Sequence, residues 1–251
     1  MNTPIPGHEM TAESAAPPPT TDVLRWNQLL ASWPDEARQA ITRASRMARY
    51  RRRTLIMSRE STSRELLAVV SGCIEVVAFN ADGRRYLNAL LGPCSIVPIV
   101  QLLDQCSRSY DYYAREDSLI VHIPRSALVL QLDRDPVLWK TVAQLAMERQ
   151  RSSVAELRAL TVGSTRRRIA AILLRMARIY APDRSCASMG AETDAIDVNL
   201  AQHDLAAMLC VSRQTVNKEL GALVEAGVLH MAYKRLTIID GAQLERLAAA
   251  E

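Results

Sequence analysis

At 251 residues the chain is long enough for two domains, each with its own core. A net charge of only +4, from 31 basic and 27 acidic residues, excludes a nonspecific polycation and leaves room for a localised basic patch. The longest apolar run, Ile96 to Leu103, is too short to cross a bilayer and contains Pro98, so no membrane partner is expected. Residues 1–21 have neither a basic start nor an apolar core, and they hold Pro4, Pro6, Pro17, Pro18 and Pro19. They predict a disordered tail rather than a targeting signal. Five scattered cysteines show no C-x-x-C pair, and an odd count without a signal peptide favours reduced thiols in the cytoplasm. His8, His122, His203 and His230 are equally dispersed, so no metal site or cofactor is expected.

Residues 22–134 predict one domain. Residues 23–48 carry apolar residues at helical spacing, as in Leu24-Arg-Trp-Asn-Gln-Leu-Leu and Pro34-Asp-Glu-Ala-Arg-Gln-Ala-Ile. From Arg49 to about Ile123 the texture becomes short β-rich runs. Leu66 to Val77 reads as a strand, a glycine corner at Gly72 and a second strand. Asn80-Ala-Asp-Gly83 has the composition of a tight hairpin turn. Tyr86–Leu91, Tyr112–Arg115 and Ser118–Ile123 continue the series, and the whole predicts a small barrel or jelly roll.

After Pro124 the pattern turns helical, and Asp135-Pro136 starts a segment that runs to about residue 162. Leu138, Val142, Leu145 and Ala146 form an apolar stripe, continued by Val154, Leu157 and Leu160. A seam of this length between two domains suits a parallel dimer. The polar interruption at Arg149, Ser152 and Ser153 weakens it, and packing on the chain's own barrel is the alternative.

Residues 163–251 read differently. In Asp204–Leu220, Leu205, Met208 and Leu209 give a first helix one apolar stripe, and Cys210-Val211 interrupts it. Ser212 is a good N-cap for a second helix whose inward stripe is Val216, Leu220 and Leu223. Arg213, Gln214, Asn217 and Lys218 fall on an arc turned away from that stripe, with Thr215 beside them. Arg and Gln there can pair with guanine and adenine edges, and Lys can meet a phosphate or a guanine. Taken alone, the segment also fits a surface helix pair with solvated polar residues. The downstream residues favour the DNA-reading alternative: Val228–Met231 and Leu236–Ile239 are short apolar runs flanking a tip with Lys234 and Arg235. They predict a two-stranded wing whose cations meet a phosphate backbone, and Asp240 caps a last short helix. From Gly163 on, basic and acidic residues number 11 and 10, so affinity must come from placement. Arg166-Arg167-Arg168 is the densest basic cluster, to be read as a phosphate contact, a brace at the domain joint, or a solvated face. Residues 181–194 read as a loop without an assignable role.

A β-roll, a long helix, Arg168–Ala177 and a helix-turn-helix with Ser212-Arg-Gln-Thr-Val216 together resemble the cyclic-AMP receptor protein/FNR (CRP/FNR) superfamily of bacterial transcription regulators. The similarity spans about residues 30–248 and is strongest over 166–240, where Leu205-Ala206 and Gly227-Val-Leu also match in order and spacing. The resemblance implies an α+β fold: an N-terminal cyclic-nucleotide-binding-type β-roll, a long dimerisation helix and a C-terminal winged helix-turn-helix. It implies DNA contacts by Ser212, Arg213 and Lys218, with Gln214 reading a base. The family turn usually holds glycine where this chain has Cys210, so a positive φ there costs about 1 kcal/mol.

In members that bind cyclic nucleotides, a Gly-Glu pair and an Arg-Ser pair hold the ribose and the phosphate. Alignment of Leu91–Leu103 on that cassette puts Cys94 and Pro98 where glycines belong and Ile99 where the glutamate belongs. Arg108-Ser109 matches the phosphate pair, although Tyr110 replaces a small neighbour. Ile99, Arg108, Ser109 and, on the long helix, Ser153 are the candidate pocket residues. An isoleucine cannot accept a ribose hydroxyl, and Pro98 lacks a backbone N–H, so ordinary cyclic-AMP binding is not expected. Cys94, Ile96, Val97, Ile99 and Val100 make the pocket apolar; either it takes an apolar effector, or its own side chains fill it. No clustered cysteines for iron–sulfur and no haem ligand stand out.

The sequence therefore predicts a DNA-binding transcription regulator, a homodimer on an inverted repeat of double-stranded DNA, with a diverged effector pocket. An ordinary cyclic-nucleotide regulator is the alternative, and a signalling or scaffold protein that does not read DNA is the weaker one. RNA polymerase is the further partner that activation would require. No nucleophile elbow, phosphate-cradling loop or carboxylate pair suggests an enzyme.

Overall fold

The computed structural model describes residues 14–15, 21–79, 85–103, 109–180, 195–232 and 235–249. By their contacts they divide into two units, residues 1–77 with 91–143 and residues 78–90 with 144–251.

The first unit starts with β1 (Ser14–Ala15), α1 (Thr21–Leu24) and α2 (Asp35–Ala44). The β-rich part continues as β2 (Arg46–Tyr50), β3 (Leu55–Met57), β4 (Glu65–Ser71), β5 (Ile74–Phe79), β6 (Arg85–Leu91, all but its last residue grouped by contacts with the second unit) and β7 (Ile96–Val97). After α3 (Val100–Leu103) come β8 (Asp111–Ala114), β9 (Ser118–Pro124) and α4 (Arg125–Arg134). Two sheets form, in the orders β1-β2-β9-β4-β7 and β3-β8-β5-β6. In β4, Leu66, Leu67, Ala68 and Val69 are all buried, because this strand is flanked on both edges and covered on both faces. Gly72 turns the chain into β5 at φ +82, and a Cβ there would lie 2.6 Å from the Asp117 carbonyl oxygen. Only glycine fits this corner.

Three local departures from the sequence expectation have physical causes. The helical pattern predicted to residue 48 ends at Ala44, and β2 begins at Arg46, since pairing with β9 outweighs local helical preference. Ser14 and Ala15 pair antiparallel with Arg49 and Ala48, adding an edge strand where a disordered tail is expected. The Asn80–Gly83 turn lies outside the described residues.

A 3₁₀ turn, Pro136–Leu138, is capped by Asp135, whose Oδ1 accepts from the Val137 N–H at 3.1 Å. It leads into α5 (Trp139–Val162). Leu138, Val142 and Leu145 are buried within the single chain, and the Trp33 indole N–H donates to Thr141 Oγ1 at 2.7 Å. These three residues of the stripe expected to form a dimer seam are therefore covered within the chain. Among the described side chains of α5, Met147 and Val154 are the exposed large apolar ones, and Val154 belongs to the stripe expected from the sequence.

The second unit contains α6 (Thr165–Tyr180), β10 (Ile196–Val198), α7 (Gln202–Leu209), α8 (Arg213–Glu225), β11 (Leu229–Ala232), β12 (Arg235–Ile238) and α9 (Gly241–Ala249). Ser164 starts α6, its hydroxyl accepting from the Arg167 N–H at 3.2 Å. Ile169, Ala170, Leu173, Met176 and Ala177 are buried along α6, which packs against α7, α8, α9 and β10. The wing has three strands, in the order β10-β12-β11, rather than the expected two. Ile196-Asp-Val198 is too short to stand out in sequence, yet it buries both aliphatic side chains against β12. Asp240 caps α9 as expected, accepting from the Gln243 N–H at 2.8 Å. Among the described residues no helix is long and apolar enough to cross a membrane.

Candidate DNA-binding surface

The turn between α7 and α8 sets the geometry. Asp204 starts α7 by accepting from the Ala201 N–H at 3.2 Å, and Leu205, Met208 and Leu209 are buried. The helix ends at Cys210, which adopts φ +53 and ψ 38, and Val211 N–H donates to the Ala206 carbonyl at 3.1 Å. This is a Schellman-type stop with cysteine in the position glycine usually takes, so the strain expected from the sequence is present. Ser212 then caps α8: its Oγ accepts from Thr215 N–H at 3.1 Å and lies 2.8 Å from Thr215 Oγ1.

On α8, Val216, Leu220 and Leu223 are buried, as their spacing predicts. Arg213, Gln214, Asn217 and Lys218 are exposed. Ser212 and Thr215 differ from these four, because their hydroxyls serve the cap. Arg213 is held by Gln202, whose Oε1 accepts from its Nε and Nη2 at 3.4 Å each. Gln202 is not legible in the sequence as a functional residue. It stands at the first turn of α7, and only the fold brings it to Arg213.

Arg235 is exposed at the start of β12, where its Nη1 donates to Asp197 Oδ2 at 3.1 Å. Lys234 lies outside the described residues. The three consecutive arginines of α6 each reach another helix of the same unit. Arg166 Nε donates to Glu219 Oε2 of α8 at 2.8 Å, and Arg167 Nε donates to the Ala248 carbonyl of α9 at 3.0 Å. Arg168 Nη2 donates to the Leu209 carbonyl at the end of α7. Two of them thus satisfy carbonyls that a helix C-terminus leaves unpaired, and their charge complements the negative end of each dipole. Together they fix α7, α8 and α9 on α6.

The candidate effector residues are divided between the two units. Ile99 is 4% exposed, and Ile96, Val97 and Leu102 are buried with it, whereas Val100 is 63% exposed. Val100 therefore does not line an apolar interior. Cys94, at φ +70, donates its N–H to the Val69 carbonyl at 3.1 Å, so this stretch is tied to β4. Arg125 holds the end of α3, donating to the Gln101 carbonyl at 2.6 Å and the Leu102 carbonyl at 3.1 Å. Ser109 and Ser153 are exposed on different units, and Arg108 lies outside the described residues. Nearby in the first unit, His122 is buried between Tyr50 and Glu65. Its Nδ1 lies 3.0 Å from Glu65 Oε2 and its Nε2 lies 2.7 Å from Tyr50 OH. Arg46 Nη2, which only donates, also lies 3.0 Å from Nδ1, in competition with the hydrogen bond between the ring and the Glu65 carboxylate. This bond, with the nearby Arg46 guanidinium, outweighs partial burial and holds the Glu65 carboxyl down from 4.5 to about 2. Burial pushes the Cys73 thiol up to about 12. Among the described residues no cluster of His, Cys, Asp and Glu could hold a metal ion.

Residues 167–247 match the Crp-like helix-turn-helix domain, and residues 47–135 match the cyclic nucleotide-binding domain. A protein of Thermus thermophilus named cyclic AMP receptor protein is 29% identical over 183 residues, 73% of this chain and 79% of that protein. The crystal structure of a CRP-family transcriptional regulator from the same organism aligns with a TM-score of 0.62 at 26% identity, covering 80% of this chain and 96% of the other. FixK2 from Bradyrhizobium japonicum aligns with a TM-score of 0.68, covering 82% and 98%, and at 20% identity it bears on the fold alone. With both domains matched in order, over more than half its length, the chain belongs to the CRP/FNR superfamily and is a transcription regulator with a helix-turn-helix DNA-binding domain, not an enzyme.

Proposed function

We propose that this regulator acts in the cytoplasm as a homodimer on an inverted-repeat operator, and that its effector pocket has diverged from cyclic-AMP binding. One observation carries the DNA-reading part. The capped helix α8 exposes Arg213, Gln214, Asn217 and Lys218 on the side opposite its buried stripe, where they can enter a major groove. Lys234 and Arg235 of the wing then meet the phosphate backbone.

Met147 and Val154 support the dimer. They stand seven residues apart on α5, 54% and 46% exposed, which is the spacing of a coiled-coil seam. Two copies joined there hold two α8 helices about 34 Å apart, one turn of DNA. The buried Ile96, Val97 and Ile99 support a sensor interior filled by its own aliphatic side chains. An ordinary cyclic-nucleotide regulator is the second reading, favoured by the domain match over residues 47–135.

Sedimentation of Met147→Glu tests the dimer: a carboxylate facing its own copy should give monomers and weaken DNA binding at least tenfold. A stable dimer would move the seam elsewhere. Calorimetric titration with cyclic AMP separates the sensor readings. No heat is expected, and micromolar binding that changes DNA affinity would replace the first reading with the second.

A further inference from the structure

The outer face of the wing sheet carries an acid and a cation in contact. Asp197 of β10 lies opposite Thr237 of β12, and Arg235, two residues before Thr237, shares that face. Ile196, Val198, Leu236 and Ile238 point the other way and are buried, so strand register fixes the outward positions. Asp197 Oδ1 accepts from Thr237 Oγ1 at 2.7 Å, which leaves Oδ2 facing the Arg235 guanidinium at 3.1 Å. Both partners are more than half exposed, so the pair is weak enough for a phosphate to displace the carboxylate.

We infer that Asp197 is a positioning residue that competes with DNA phosphate for Arg235 and lowers the sequence-independent part of DNA affinity. The inference rests on Arg235 being a phosphate contact of the proposed DNA-reading surface. A carboxylate 3.1 Å away cancels most of the field that a phosphate meets at the guanidinium, and DNA must move or share that acid before the contact forms. Phosphate contacts carry no sequence information, so the effect is the same on an operator and on unrelated DNA.

The test uses the full chain and a mixed-sequence duplex of about 30 base pairs, long enough for two half-sites one turn apart. Affinity is measured against salt for wild type, Asp197→Asn, Arg235→Ala and the double variant. Asn retains an oxygen for Thr237, and Asp197→Ser serves as a second variant should Asn perturb folding. Asp197→Asn is expected to bind about two- to fivefold tighter at low salt. Its log–log salt slope is expected to steepen by up to about 0.9 for each wing, about 1.8 for the dimer, and both gains should vanish in the Arg235→Ala background. Unchanged or weaker binding by Asp197→Asn, with Arg235→Ala weakened, overturns the competition while leaving the wing contact intact. An Arg235→Ala variant with unaltered affinity and slope overturns the wing contact itself, and the inference with it.

Discussion

The winged unit and the β-roll use polar residues in opposite ways. Around α8 the polar side chains that matter point outward, and the frame is held by arginines of α6 placed on other helices. In the β-roll polar side chains pair in the interior, as in the Arg115–Glu75 pair at 2.7 Å and the Tyr50–His122–Glu65 chain. Of the residues aligned with a nucleotide cassette, Ile96, Val97 and Ile99 are aliphatic and buried there. A surface that reads DNA can be rigid and exposed before its partner arrives. A sensor must instead offer an interior that a ligand can enter, and aliphatic side chains buried in place leave little polar chemistry for one.

Two positive-φ glycines sharpen that contrast. Gly72 in the β-roll corner has φ +82 and backbone atoms of Asp117 and Ser118 within 3 Å of a Cβ, whereas Gly227 before the wing has φ +71 and open space. Gly72→Ala adds a clash to the strain and should cost about 3 kcal/mol, against about 1 kcal/mol for Gly227→Ala. Thermal unfolding of both variants checks this, and equal losses would mean that the corner can relax. The next effect is on binding. Arg213→Ala should cost about 1–3 kcal/mol of affinity for a specific site while leaving stability unchanged, as measured by gel shift. Unchanged specific affinity would remove Arg213 from the reading surface.

The smallest effect is on acid stability. The folded-state pKa of Glu65 is depressed, so its contribution is present above the ordinary carboxylate range and is lost as pH falls from about 4.5 toward 2. Glu65→Gln should therefore flatten the decline in stability over that window. A slope identical to wild type would show that the His122 bond does not stabilise the fold.

The winged unit is largely legible in the sequence because its signals are local. The Ser212 cap, the Val216–Leu220–Leu223 stripe and the Asp240 cap each lie within one turn or one helix. The left-handed Cys210 is foreshadowed by the glycine that the family resemblance leads one to expect in that turn. What is not legible depends on distant partners. Asp197 and Arg235 are 38 residues apart, and Arg166 and Glu219 are 53 apart; no periodicity links them. The stripe of α5 is visible in the sequence, but period alone does not say which surface it covers, and the chain covers Leu138, Val142 and Leu145 itself. β2 and β10 escape sequence reading for a related reason, since each is a short strand stabilised by its neighbour rather than by its own composition.

Selection of binding sequences from a random duplex library with the full-length protein tests the proposed function most directly. An enriched inverted repeat, with half-sites about one helical turn apart, is the expected result. Enrichment of a single unrepeated site, or of no sequence at all, would contradict paired α8 helices reading the major groove.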